Sequence, residues 1–441
     1  MAEGYLDQMG KLGIGTATGV VAPDAEEAFL WKKLPRELQN RVLCCLPLQN
    51  LFQMRCVCKA WRNIVLHRDF ATMYDAMHIS DPSSPATVYI NSSSPDRVEW
   101  SAYDYTQNKW QKRTTLPSRS HSRLTRENIS YSVHPVGGLL VFRFWRLGVN
   151  HWVVWNPLTN KWKTLPPCKT RTSKTTVVFE HAFVADERFK RYKILMAHNP
   201  YSKDWRSFEQ STRNMVTEVY DSATGVWTQS ESSLQSAVHP GFEYYYREEK
   251  YYPPDPPGVL SNGVIYFVSS SLRRDDSLES VLYCFDIKSE RWHEEFRHGL
   301  PSWSITAIHG MTYDACKSVF EWDCRLMTAM VHPLDEEGGG RWELLVYERD
   351  LGTRTWVETG IKVPDSMVTT DSEFFTPEVE IVAEGNHLVL GEFRSRYGRF
   401  TCAVYRKAQN CWTCSPSGQF DVQDRKGNNL VLFKPRLDWR P

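Results

Sequence analysis

Tyr220-Asp221-Ser222-Ala223-Thr224-Gly225-Val226-Trp227 is the stretch on which the fold turns. An aspartate at the end of a strand closes a turn through its own side chain, threonine and glycine continue the turn, and a large aromatic opens the returning strand. The arrangement recurs at Tyr103-Asp104 to Trp110, Trp155-Asn156 to Trp162, Phe285-Asp286 to Trp292, Asp350 to Trp356 and Tyr405-Arg406 to Trp412. In all six the polar residue precedes tryptophan by six positions, and the tryptophans follow one another at intervals of 52, 65, 65, 64 and 56 residues. Self-similarity at such a period marks a propeller or another repeat array.

The residues upstream of each hairpin supply further strands. In the fourth repeat Gly258 to Ser261, an Asn262-Gly263 hairpin turn, Val264 to Ser269 and Val281 to Asp286 precede Trp292. Four strands per repeat, a to d, with tryptophan opening d, predict the blades of an all-β, six-bladed propeller over residues 86–436. Trp110, Trp162, Trp227, Trp292, Trp356 and Trp412 are expected to wedge between neighbouring blades. The first repeat has only Ala86 to Ile90 and Val98 to Asp104 before Trp110, while an extra run, Asn429 to Phe433, follows Trp412. A ring left open would expose an unpaired edge, so the C-terminal run is predicted to complete the first blade. The repeats resemble those of F-box/kelch proteins, and the resemblance implies a kelch-like propeller. The kelch glycine pair closes strand b, whereas Gly137-Gly138 precedes it here.

Ahead of the repeats, residues 29–75 read as a small helical module, preceded by a tail (1–28) and followed by a linker (76–85). Leu34, Leu38, Val42 and Leu46 recur at four-residue spacing behind Pro35, which can open a helix, and Pro47 ends it. Further short helices are expected from Gln49 to Arg55 and from about Lys59 to Leu66. So small a module rarely covers its own apolar surface, which points either to a partner or to packing on the β domain. Leu34-Pro35-x-x-Leu38, Leu46-Pro47-Leu48-x-x-Leu51 and Arg55-Cys56-Val57-Cys58-Lys59-x-Trp61 together resemble a plant-type F-box. The resemblance implies docking onto a Skp-family adaptor and, through it, a cullin, with Leu34, Pro35, Leu38, Leu46, Pro47, Leu48, Leu51, Val57 and Trp61 as contact positions. Of these, Val57 and Trp61 are the expected core members. It implies a non-catalytic substrate receptor of an SCF-type ubiquitin ligase. The alternatives are an F-box scaffold outside a ligase, and a propeller that is an enzyme or binds a small regulatory ligand.

In an antiparallel blade the a–b and c–d turns share one face, and the b–c and d–a loops share the other. The long connections are all of the second kind, so the target surface is expected on that rim. Arg119, Arg123, Arg126 and Arg171 could clamp an acidic or phosphorylated segment. Trp205, Tyr245 and Phe374 could anchor an interface. The alternative for each is a solvated or self-packed loop.

Composition narrows the classes. The chain has 441 residues, 13% aromatic, with 17 tryptophans and a net charge of +1. No overall field favours nucleic acid, and no apolar run is long enough to span a bilayer. Eleven scattered cysteines without an export signal are expected to be reduced thiols in the cytoplasm or nucleus, and the Asn91 and Asn128 sequons then carry little weight. Cys411-x-x-Cys414 lacks a second pair for zinc, so no metal or cofactor is expected. Phosphate loops and hydrolase or metalloprotease motifs are absent from the sequence.

Overall fold

A computed structural model describes residues 31, 33–46, 51, 54, 57–78, 86–94, 97–104, 109–113, 130–146, 149–156, 159, 161–168, 177–186, 188–199, 213–230, 234–236, 258–272, 278–294, 319–333, 342–350, 352–363, 378–384, 386–394, 399–414, 429–433, 436 and 439–441. The chain divides into two compact units, Met1–His78 and Ile79–Pro441.

The first unit contains α1 (Arg36–Cys44), α2 (Lys59–Val65) and α3 (Arg68–His78). Pro35 caps α1: its carbonyl accepts the N–H groups of Leu38 and Gln39 at 3.0 and 3.1 Å, and its own missing N–H costs nothing at that position. The Gln39 amide donates back to the carbonyls of Trp31 and Leu34 at 2.9 and 3.1 Å, fastening the preceding turn. Cys58 caps α2 by accepting the Trp61 N–H on its sulfur at 3.5 Å. A linker is expected from residue 76 and no helix after Leu66, yet α3 runs through to His78. Its Phe70, Ala71 and Tyr74 form the buried face, packing with Leu43, Cys44, Leu51, Ile64 and Val65 as the unit's core. Tyr74 donates its hydroxyl to the Leu46 carbonyl at 3.2 Å, and the His78 Nε2 lies 2.8 Å from the Cys44 carbonyl. These bonds tie α3 to the far end of α1.

The second unit is a β-propeller. Its described strands form six antiparallel sheets, five of four strands and one of five. Sheet one holds Ala86–Ser94, Arg97–Asp104 and Lys109–Arg113, with Asn429–Phe433 added on the inner side. Sheet two is Ser130–Val136, Leu139–Arg146, Val149–Asn156 and Lys161–Thr164. Sheet three is Val177–Asp186, Arg191–Asn199, Arg213–Asp221 and Val226–Gln229, with Leu234–Ser236 also paired to its third strand. Sheet four is Val259–Ser261, Val264–Leu272, Leu278–Asp286 and Arg291–Glu294. Sheet five is Val319–Trp322, Arg325–Pro333, Trp342–Arg349 and Trp356–Lys362, and sheet six is Glu378–Glu384, His387–Arg394, Arg399–Arg406 and Cys411–Cys414. The innermost strands adjoin one another in a closed cycle: Asn429–Phe433, Ser130–Val136, Val177–Asp186, Val259–Ser261, Val319–Trp322, Glu378–Glu384, and back to Asn429–Phe433. The last strand pairs antiparallel with the first, Ala86 opposite Phe433 and Ile90 opposite Asn429. The ring is therefore closed by both ends of the repeat region in one sheet, which removes the open edge.

The turn chemistry follows the repeated motif. The Asp221 carboxylate accepts the Ala223 N–H at 2.7 Å, Asp286 that of Ser289 at 2.7 Å, and Asp350 those of Gly352 and Thr353 at 2.7 and 3.1 Å. These donors hold the Asp286 and Asp350 carboxyls below the usual carboxylate range. The Asn262-Gly263 turn has positive φ at both residues, 52° and 81°, the geometry that matches the twist of a tight hairpin.

Four of the six repeat tryptophans pack across sheet boundaries. Trp227 of sheet three lies among Leu139, Val141 and Val154 of sheet two, and its indole donates to the Pro166 carbonyl at 2.8 Å. Trp292 of sheet four packs with Ala182 and Leu195 of sheet three and donates to the Thr217 hydroxyl at 2.8 Å. Trp356 joins the cluster between sheets four and five, and Trp412 that between sheets five and six. Trp162 stacks on Trp155 of its own sheet at 4.9 Å, and Trp110 occupies the corresponding position of strand Lys109–Arg113.

One boundary needs correction. The propeller does not end at residue 436, because Trp439 is 1% exposed inside the cluster between sheets two and three. Gly137 and Gly138, set between the first two strands of sheet two, abut Trp439 and Arg436. Here the glycine pair makes room for the chain end, a different duty from closing strand b.

Candidate functional site

The N-terminal unit carries an apolar surface that it does not cover. Leu34, Leu38 and Val42 are 37%, 46% and 50% exposed, while Leu43 and Cys44 on the opposite side of α1 are buried. Four-residue spacing puts Leu38 and Val42 on one side of α1, and Leu34 precedes the helix next to its Pro35 cap. Val57 extends this exposed set, and so do Leu66 and Met77 at the ends of α2 and α3, which the sequence reading missed. An amphipathic helix normally hides its larger apolar side chains, so among the described residues these exposed ones are the candidate contact surface. On α1 and just before it Lys33, Arg36 and Arg41 are basic, and Glu37 opposes them in sign. An apolar seam with a basic rim is complementary to an apolar groove flanked by acids.

The predicted contact residues divide accordingly. Leu34, Pro35, Leu38 and Val57 are exposed, Leu46 and Trp61 are half-buried, and Leu51 is fully buried. Leu51, at 0% exposure, is thus part of the unit's core. Val57, expected in the core, is at the surface just before the cap of α2. Trp61 is anchored by Trp31, ring centroids 5.0 Å apart. Pro47 and Leu48 lie outside the described residues. The Cys44 thiol is pushed up to about 11 by burial, then by Cys45 and Asp75, so it stays protonated and unreactive.

On the propeller, Arg119, Arg123, Arg126, Arg171, Trp205, Tyr245 and Phe374 all lie outside the described residues. In sheet four the paired strands run further than Val264 to Ser269 and Val281 to Asp286: Val264–Leu272 and Leu278–Asp286 stay in register to Leu272 opposite Leu278, shortening that connection. Among the described residues no group of three or more His, Cys, Asp or Glu is placed to hold a metal. No described helix is long and apolar enough to cross a membrane.

Comparison with known proteins agrees with both halves of this architecture. Residues 31–72 match the F-box domain family, and residues 89–303 match the family described as F-box associated beta propeller domain. The chain is an F-box protein with an F-box associated propeller. Its relatives in Arabidopsis thaliana are distant. F-box only protein 6 is 25% identical over 202 residues, 45% of this chain and 37% of that protein. Putative F-box protein At5g62660 is 21% identical over 326 residues, 72% of this chain and 77% of that one. F-box/kelch-repeat protein At3g61590 is 25% identical over 256 residues, 56% and 54% of the two chains. The chain thus spans little more than a third of the first relative's length and about three quarters of the second's.

Proposed function

We propose that this F-box protein is the substrate-recognition subunit of an SCF-type ubiquitin ligase. Its F-box docks onto a Skp-family adaptor and thence a cullin, and loops on one rim of a six-bladed, kelch-like propeller hold the target protein. The observation that carries the reading is the exposed stripe of Leu34, Leu38 and Val42. The contribution to chemistry is proximity: a captured target has its lysines held near a charged ubiquitin-conjugating enzyme, which raises their effective concentration without any reacting group on this chain. Arg119, Arg123, Arg126 and Arg171 with Trp205, Tyr245 and Phe374 are the proposed target contacts, suited to an acidic or phosphorylated segment. The reading places the protein in the cytoplasm or nucleus, where ligase and targets meet.

Co-purification tests it. The full chain should bring down a Skp-family adaptor and a cullin, and replacing Leu34 and Pro35 by alanine should lose both. An intact complex in that double variant would remove the docking surface named here.

A further inference from the structure

The last residues of the chain are held in the manner of a bound peptide. Beyond the closing strand, Arg436 and Trp439 are both buried, at 7% and 1% exposure. Trp439 enters the apolar cluster made by sheets two and three, although the strand it follows belongs to sheet one.

Three features of sheets two and three are shaped to this tail. The first is space. A Cβ on Gly137 would lie 2.4 Å from the Trp439 ring, and one on Gly138 would lie 2.5 Å from the Arg436 Cβ. The second is a donor. The fully buried Asn156 amide nitrogen donates to the carbonyls of Arg436 and Trp439 at 3.0 and 2.8 Å, while its oxygen accepts the Thr159 N–H at 3.0 Å. Sheets three, four and five carry Asp221, Asp286 and Asp350 at the equivalent corner, and an ionised carboxylate only accepts. Asparagine closes the turn as aspartate does and has two N–H groups left for the tail. The third is charge: the Lys190 ammonium lies 5.9 Å from the Trp439 ring centroid, within cation–π range.

We propose that the junction of sheets two and three is a binding site for an Arg-x-x-Trp segment, filled by this chain's own C-terminal tail. Ring closure then has two separable parts, a strand added to sheet one and a tail docked on its neighbours. The occupant is intramolecular because three peptide links join Phe433 to Arg436 and span at most about 11 Å. The tail thereby ties the sheet built from both ends of the chain to the two sheets that follow it. Trp439 is recognised by its ring, since its indole N–H has no partner among the described residues.

Asn156→Asp in the full chain separates tail from turn. Trypsin should release Leu437–Pro441 from this variant at least tenfold faster than from the parent, and the melting midpoint should fall by ~5 °C. Trp439→Ala should behave alike, and Trp439→Phe should stay near the parent. Excess octapeptide Lys434–Pro441 should raise the midpoint of Trp439→Ala but not of Asn156→Asp/Trp439→Ala. Parental cleavage and melting in both single variants would overturn the proposal, as would a peptide without effect on Trp439→Ala. A dimer whose share grows with concentration would replace the intramolecular occupant by a second copy's tail.

Discussion

Replacing Leu34, Leu38 and Val42 together by alanine should separate recruitment from folding. Full burial of a leucine or valine side chain is worth roughly 1.5–3 kcal/mol. These three are 37%, 46% and 50% exposed, so about half of that gain is still available to a partner. Allowing for what alanine retains, the triple change should weaken adaptor binding by about 2–3 kcal/mol, roughly 30- to 150-fold in Kd. The same change should leave folding within about 0.5 kcal/mol, because the side chains lose few contacts and alanine favours the helix. Leu43→Ala is the control: its side chain is 1% exposed, and removing it should cost roughly 2–5 kcal/mol of unit stability. Calorimetric titration with purified Skp-family adaptor and circular-dichroism melting read the two effects. A triple variant that binds within twofold of the parent, or that melts as early as Leu43→Ala, would refute the reasoning.

Trp227→Ala should lower propeller stability by about 3–5 kcal/mol, and Trp227→Phe by about 1 kcal/mol for the lost bond to Pro166, both read by chemical denaturation. Burial, reinforced by Arg143, pushes the His134 ring down to about 3, against about 6.5 in an unfolded chain. The unfolded chain therefore binds the proton more readily, and this group's contribution is complete above pH ~6.5 and is lost as pH falls toward 3. His134→Phe, which keeps a ring stacked on Phe183, should flatten that part of the stability–pH curve in urea melts at pH 7 and 5. Asp286 and Asp350 are held low by backbone donors, so their contribution is present above pH ~4 and vanishes as pH falls through their folded values. Asp286→Asn/Asp350→Asn should soften that acid limb in thermal scans, and an unchanged limb would count against the turn caps.

Much of the propeller was legible because its signal is local. A carboxylate closing a turn and a tryptophan six residues on are fixed by the geometry of one hairpin, so Asp221, Asp286 and Asp350 could be placed from sequence. Strand ends were less legible: Ser270 and Ser271 have little intrinsic preference for β structure but stay in the ladder through pairing with Ser280 and Glu279. Periodicity also states which residues share a side of a helix without saying which side is covered. Leu38 and Val42 face outward and Leu43 inward, and Val57, expected in the core, is at the surface for the same reason. The docking of Trp439 left no local trace, since its partner Asn156 lies 283 residues away; only the asparagine standing where four other repeats have aspartate hinted at it.

The division of labour between the two units is tested most directly by quantitative mass spectrometry of bound partners, with proteolysis blocked, for the full chain and its Leu34→Ala/Leu38→Ala/Val42→Ala variant. A receptor built this way loses adaptor and cullin in the variant but keeps the same set of captured proteins, now without new ubiquitin on them. Loss of both sets together, or adaptor and cullin bound undiminished by the variant, would contradict it.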